Sequence, residues 1–317
     1  VDLWGPWRVD GDEQLSPLER VGSAVRSMLT PINVLDFLAN FTTYANDNKR
    51  RRIKIVARYQ QFDGANRIVE RVLAGRSRKG LIWHFQGSGK SLLMLFAARK
   101  LRLHPDMGNP TVMIVVDRID LDTQIASTFY AADAPNLVKA ETRTDLESML
   151  AQDMRKIIIT TIFKFGEAEG VLNDRENIIL LVDEAHRTQE GDLGRKMRDA
   201  LPNAFMFGLT GTPIHRSDRN TFYAFGSEED ENGYMSRYGF DESIRDGATK
   251  ELHFEPRMLK LHIDQKKINE LFLQETKGLT DKQRDQLAKT AAKMAVISKA
   301  PNRVQKICAD IAQHYQQ

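Results

Sequence analysis

Leu81-Ile82-Trp83-His84-Phe85-Gln86-Gly87-Ser88-Gly89-Lys90-Ser91 is the stretch on which the fold turns. Its first four residues read as a short buried strand, the two glycines as a turn, and Leu92 to Leu103 as a helix. A strand, a Gly-rich turn and a helix opening on Lys-Ser form the setting of a phosphate-binding loop. Glycine lets backbone N–H groups approach phosphate oxygens that a Cβ would hold off, and the helix N-terminus adds positive potential. In that arrangement Gly87, Ser88 and Gly89 wrap the phosphates, Lys90 reaches the β- and γ-phosphates, and the Ser91 hydroxyl ligates Mg²⁺. The full pattern asks for Gly five residues before Gly89, where this chain has His84. Taken alone, the loop also reads as a tight strand-to-helix turn with no ligand.

The second decisive stretch is Asn177-Ile178-Ile179-Leu180-Leu181-Val182-Asp183-Glu184-Ala185-His186. The apolar run reads as a buried parallel strand, and its acidic pair stands at the C-terminal end, where α/β sheets place ligands. Asp183 lies 93 residues beyond Lys90, an interval of several strand–helix units. Asp183 is the expected partner of the Mg²⁺ held by Ser91, and Glu184 the group that orients and deprotonates the attacking water. A solvated acidic turn is the bland alternative, and the pairing with the phosphate loop weighs against it.

Between and around these stretches strands alternate with helices. Strands are expected at Leu81–His84, Thr111–Val116, Ile157–Thr161, Ile178–Asp183 and Ala204–Leu209. Helices are expected at Asn66–Leu73, Leu92–Leu103, Leu121–Phe129, Leu146–Gln152 and Leu193–Leu201. That order means an α/β domain with a mostly parallel, helix-flanked sheet. Upstream, Pro17–Met28 and Pro31–Tyr44 read as helices, and the basic run Lys49-Arg50-Arg51-Arg52-Ile53-Lys54 as a solvated linker in preference to a phosphate-contacting patch. After Pro213 the alternation fades: Leu252–Ile263 holds one or two strands, and Lys266–Glu275, Asp281–Ile297 and Asn302–Tyr315 are helical.

The 317 residues are 41% hydrophobic, enough for a substantial core, and the formal net charge of +3 gives no bulk attraction to nucleic acid. One cysteine, Cys308, excludes an internal disulfide. No apolar run is long enough to span a bilayer, and the seven histidines show no metal-ligand spacing. The chain opens on Val1-Asp2-Leu3-Trp4 rather than Met, as expected of a piece of a longer or processed chain.

The phosphate loop, Asp183-Glu184-Ala185-His186 and Leu209-Thr210-Gly211-Thr212-Pro213 follow the order of motifs I, II and III of superfamily 2 helicases, which they resemble. Arg58-Tyr59-Gln60-Gln61 resembles the Gln motif that reads adenine, the Gln61 amide both donating and accepting. The wording from Gly80 to Ser91 resembles the motor (R) subunit of type I restriction enzymes, in which His at position 84 is habitual. Val115 to Gln124 resembles that family's motif Ia, and Asp183–Arg187, Gly208–Ile214, Tyr238, Asp246-Gly247-Ala248 and Leu35–Phe41 also match.

The resemblance implies a RecA-like P-loop NTPase domain with helical segments at both ends. Residues 1–54 would be a helical linker following an absent nuclease domain, 55–260 the first RecA-like motor domain, and 261–317 a helical extension leading to an absent second one. It implies ATP and Mg²⁺ as cofactors and ATP-driven translocation on double-stranded DNA before cleavage by a nuclease domain outside this chain. Methyltransferase and specificity subunits are the implied partners, in the cytoplasm of a bacterium or archaeon, with no membrane. Lys90, Asp183 and Glu184 would be catalytic. His186, Thr210 and Thr212 would couple nucleotide to DNA, and Arg118, Gln124, Thr161 and Lys164 would touch DNA. After Pro213 there is no Gln-x-x-Gly-Arg-x-x-Arg, the second-domain motif that supplies an arginine finger, so ATP is expected to bind and turn over poorly. A stand-alone superfamily 2 helicase or remodeller, or a nucleotide-binding scaffold without motor activity, are the competing readings.

Overall fold

A computed structural model describes residues 7–9, 11, 14–46, 51–117, 128–130, 136–152, 154–166, 168, 170–187, 192–215, 220–251, 270, 272–274, 276–291 and 301–315. The chain divides into two units, Val1–Glu251 and Leu252–Gln317.

In the first unit, α1 (Pro17–Met28) and α2 (Pro31–Ala39) precede a hairpin of β1 (Thr42–Asn46) and β2 (Arg52–Val56). There follow α3 (Tyr59–Ala74), β3 (Lys79–His84), α4 (Lys90–Leu103), β4 (Thr111–Val116), β5 (Leu137–Lys139) and α5 (Arg143–Ala151). Next come β6 (Ile157–Thr161), β7 (Ile178–Asp183), α6 (Asp192–Ala200), β8 (Phe205–Thr210), α7 (Thr221–Phe225), β9 (Ser236–Tyr238) and α8 (Phe240–Arg245). The second unit contains α9 (Asp281–Ala291) and α10 (Pro301–Tyr315), the latter carrying the exposed Cys308.

Seven strands form one parallel sheet in the order β5-β6-β4-β7-β8-β3-β9. The strands β4, β6, β7 and β8 are buried at every position but divide their apolar residues between two cores, because successive side chains point to opposite faces. Ile82, Val112, Ile114, Ile159, Leu181 and Phe207 meet α3 and α4 on one face. Leu81, Met113, Val115, Ile158, Leu180 and Met206 meet α5, α6 and Phe225 on the other. A one-residue slip in any strand would exchange its two sets and misplace every core contact. The fold is therefore the RecA-like, helix-flanked parallel sheet expected from the alternation.

Three expectations change. The helix begun at Pro31 stops at Ala39, because Thr42-Thr43-Tyr44, β-branched and aromatic, enter β1 instead. The basic run supplies β2: Arg52 pairs with Asn46 and Lys54 with Tyr44, and the Arg52 guanidinium lies over the Tyr44 ring at 4.5 Å. After Pro213 the chain returns to the sheet, β9 pairing with β3 through Ile82↔Ser236 and His84↔Tyr238. The strands expected within Leu252–Ile263, most of the helix expected at Leu121–Phe129 and most of that at Lys266–Glu275 lie outside the described residues.

Candidate nucleotide-binding site

The phosphate loop leaves β3 at His84 and enters α4 at Lys90, with Gly87 at φ 84° and Gly89 at φ 83°. Gly89 is dictated twice over: its conformation is left-handed, and a Cβ there would lie 2.0 Å from Gln61 Nε2. That amide sits against the loop, Nε2 donating to Ser88 O and Gly89 O, both at 3.2 Å. Gln61 Oε1 accepts from Arg58 N at 2.9 Å, which caps α3. The amide expected to read adenine is thus engaged at both ends, with one acceptor lone pair left.

His84 is fully buried, and burial first, then Lys90, pushes its imidazole down to about 3, so it is neutral. Ser236 Oγ donates to Asp63 Oδ2 at 2.7 Å, so the 2.9 Å contact with His84 is donated by Nε2–H. Lys90 Nζ donates across the loop to His84 O at 3.3 Å, and Ser91 is half-buried in the first turn of α4.

Asp183 ends β7, with β8 between it and the phosphate-loop strand; Asp183 stands level with Leu209, and Thr210 level with Trp83. Asp183 is 7% exposed, and burial raises its carboxyl to about 6, with Lys90 opposing and Glu184 assisting. Lys90 and the acidic pair therefore converge at the C-terminal ends of β3, β8 and β7. Asp183 Oδ1 and Ser88 Oγ are buried with no hydrogen-bond partner among the described residues. A buried carboxylate oxygen is costly unless a donor or a cation meets it, and beside a Lys and a Gly-rich loop this set fits a metal-bound polyphosphate.

Glu184 adopts φ 46°, left-handed for a residue with a Cβ, a strain of order 1–3 kcal/mol that recurs at functional sites. It starts a turn closed by Arg187 N donating to Glu184 O at 2.8 Å. His186 Nδ1 lies 2.8 Å from Thr210 Oγ1 and 3.3 Å from Glu184 Oε2. Burial lowers the His186 imidazole while Glu184 opposes. Thr210 Oγ1 also accepts from the N–H of exposed Thr212 at 3.1 Å. His186, Thr210 and Thr212 thus form one hydrogen-bonded chain, whose His186 end lies 3.3 Å from Glu184.

Of the DNA candidates, Thr161 and Lys164 fall among the described residues. Thr161 is buried at the end of β6, and Lys164 Nζ donates to Ala140 O at 2.5 Å. Arg118 and Gln124 lie outside the described residues. Asp117, an acidic residue just after β4, carries the strand-end signal that singled out Asp183 but was not read from the sequence; it pairs with Arg187 at 3.4 Å. Ser236 and Thr249 also touch the loop and lie where the alternation had faded. No cluster of three or more metal-ligating side chains occurs among the described residues.

Residues 60–285 match the model of the SWI2/SNF2 ATPase family. A type I restriction enzyme HindI endonuclease subunit from Haemophilus influenzae is 33% identical, the alignment covering 98% of this chain and 31% of that protein. A putative type I restriction enzyme MjaIXP endonuclease subunit from Methanocaldococcus jannaschii is 32% identical over 89% of this chain and 27% of that protein. The chain thus spans about a third of the length of these curated relatives. Among solved structures, the UvsW helicase of bacteriophage T4 is 18% identical with a TM-score of 0.44, covering 67% of this chain and 68% of that chain. With its loop, acidic pair and parallel sheet in place, the chain belongs to the SWI2/SNF2 ATPase family, and the relatives it resembles are type I restriction enzyme endonuclease subunits.

Proposed function

We propose that the chain binds and hydrolyses ATP as the first motor domain of a type I restriction R subunit, driving translocation along double-stranded DNA. The observation that carries this reading is the buried Asp183 carboxyl group, with an oxygen that meets no donor among the described residues, set beside Lys90. Gly87, Ser88, Gly89 and Lys90 hold the triphosphate. Ser91 and Asp183 would hold Mg²⁺, which supplies neutralisation of charge on the phosphate oxygens. Glu184 takes the proton of the attacking water as its oxygen joins the γ-phosphorus and ADP departs. Gln61 can accept from the exocyclic amine of adenine with its spare lone pair; donation to N7 requires it to release a loop carbonyl.

His186, Thr210 and Thr212 pass the state of the site towards the DNA, for which Arg118, Gln124, Thr161 and Lys164 are the candidate contacts. Residues 55–260 are assigned as motor, 1–54 and 261–317 as flanking helical segments, and methyltransferase and specificity subunits as partners. Among the described residues no helix is long and apolar enough to cross a membrane; work in the cytoplasm is part of the proposal.

The test is ATP hydrolysis by the full-length parent, with and without double-stranded DNA. DNA-stimulated turnover that disappears with Lys90→Ala supports the reading; turnover indifferent to that change defeats it. The 317-residue chain alone is expected to turn over more slowly than the parent by roughly 10³–10⁵, the worth of an arginine finger.

A further inference from the structure

We infer that residues 236–249 are a latch on the phosphate loop, and that Ser236 and Thr249 are positioning residues for the nucleotide; this rests on the function proposed above. Four consecutive loop residues meet this segment. His84 donates to Ser236 Oγ at 2.9 Å, and Ser236 is itself fixed by Asp63 of α3 at 2.7 Å. Phe85 N donates to Tyr238 O at 2.7 Å, and its ring meets Phe240 edge-on at 5.0 Å. The Thr249 hydroxyl donates to Gln86 O at 3.2 Å. Gly87 lies against the turn, where a Cβ would stand 3.2 Å from Ala248 O.

The latch is braced internally. Ser243 O accepts from Ala248 N at 2.9 Å and from Thr249 N at 3.1 Å, and the Ser243 and Thr249 hydroxyls are 2.5 Å apart. Tyr238 Oη donates to Asp246 Oδ2 at 3.2 Å, and Asp246 pairs with Arg8. Gln61 holds the remaining loop carbonyls, those of Ser88 and Gly89. The loop is therefore gripped from two sides, residues 84–87 by the latch and 88–89 by α3. His84 makes this possible: where the phosphate-loop pattern has Gly, the imidazole reaches a hydroxyl that Gly could not. Loop amides aimed in advance spend less ordering entropy when phosphate binds, so the latch acts on affinity. It ends at Thr249, two residues before the first unit ends at Glu251.

The test uses the 317-residue chain, a fluorescent ATP analogue with Mg²⁺, and competition by unlabelled ATP. Thr249→Val removes the hydroxyl while keeping the shape of a half-buried side chain, and Thr249→Ser restores it. Thr249→Val and Ser236→Ala should each weaken binding roughly 3- to 10-fold, the worth of one neutral hydrogen bond, with Thr249→Ser within about twofold of wild type. In the full-length parent the same variants should raise KM and leave kcat unchanged. Amide hydrogen exchange at residues 85–89 should quicken in Thr249→Val without nucleotide and return to the wild-type rate in Thr249→Ser. The latch is refuted if exchange in Thr249→Val is unchanged, or if wild type binds nucleotide and Thr249→Val binds it equally well. Failure of wild type itself to bind would instead strike the proposed function, and the exchange comparison would still decide the latch.

Discussion

At the scale of single residues, Asp183 shows what the site costs the fold. Burial lifts its carboxyl from an ordinary 3.8 to about 6, so the folded chain holds the proton more tightly than the unfolded one. That contribution to stability is complete below about pH 4 and is lost as pH rises through about 6. Above pH 6 the folded chain carries a buried carboxylate at a cost of about 2–3 kcal/mol. Asp183→Asn removes the titration. Without nucleotide the variant should be more stable than wild type by about that amount at pH 7.5, and the gap should close towards pH 4. Urea unfolding at the two pH values checks this, and a gap of equal size at both would contradict it. Such a variant, stabilised and inactive, is what a site built on an unneutralised charge predicts.

At the scale of elements, the contact between α3 and α4 pits helix propensity against packing at Gly64. In mid-helix, Ala is the better residue by about 1 kcal/mol. A Cβ at Gly64, however, would lie 2.7 Å from Leu93 Cδ1 and 3.3 Å from His84 Cε1. Leu93 and His84 are wholly buried and cannot yield cheaply. Packing should win: Gly64→Ala is expected to lower stability by about 1–3 kcal/mol in denaturant titration, and a rise would show that the helices separate freely. The same comparison explains what was legible in the sequence. Thr111–Val116, Ile157–Thr161 and Ile178–Asp183 announce themselves because both faces are covered and every residue is buried, in runs that are apolar but for Thr111, Thr160, Thr161 and the terminal Asp183. Ser236-Arg237-Tyr238 does not: its place beside β3 is set by backbone pairing and by the buried Ser236 and Tyr238, with Arg237 exposed, and three residues show no period. Arg52–Val56 was misread for a related reason, since four of its five residues are exposed and its charge outweighed its pairing. Of the candidate site, Lys90, Ser91, Asp183 and Glu184 stand out in the sequence as local patterns. Ser236, Thr249 and Asp63 do not, because their link to the loop exists only once α3 and β9 flank β3.

At the scale of the whole molecule, every interaction argued for above lies within Val1–Glu251. Both faces of the sheet are covered inside that unit, by α3 and α4 on one side and by α5, α6 and Phe225 on the other. The latch closes there too, its last contact being Thr249 on Gln86. The unit therefore has its own core, the condition for independent folding, and holds the residues named for the candidate nucleotide site. A chain ending at Glu251 should unfold in a single cooperative transition and bind Mg²⁺ and a fluorescent ATP analogue within about twofold of the 317-residue protein. Calorimetry and equilibrium titration read both properties. Loss of cooperativity would mean that residues 252–317 complete the core. Weak binding with cooperative folding intact would mean instead that they hold the latch closed.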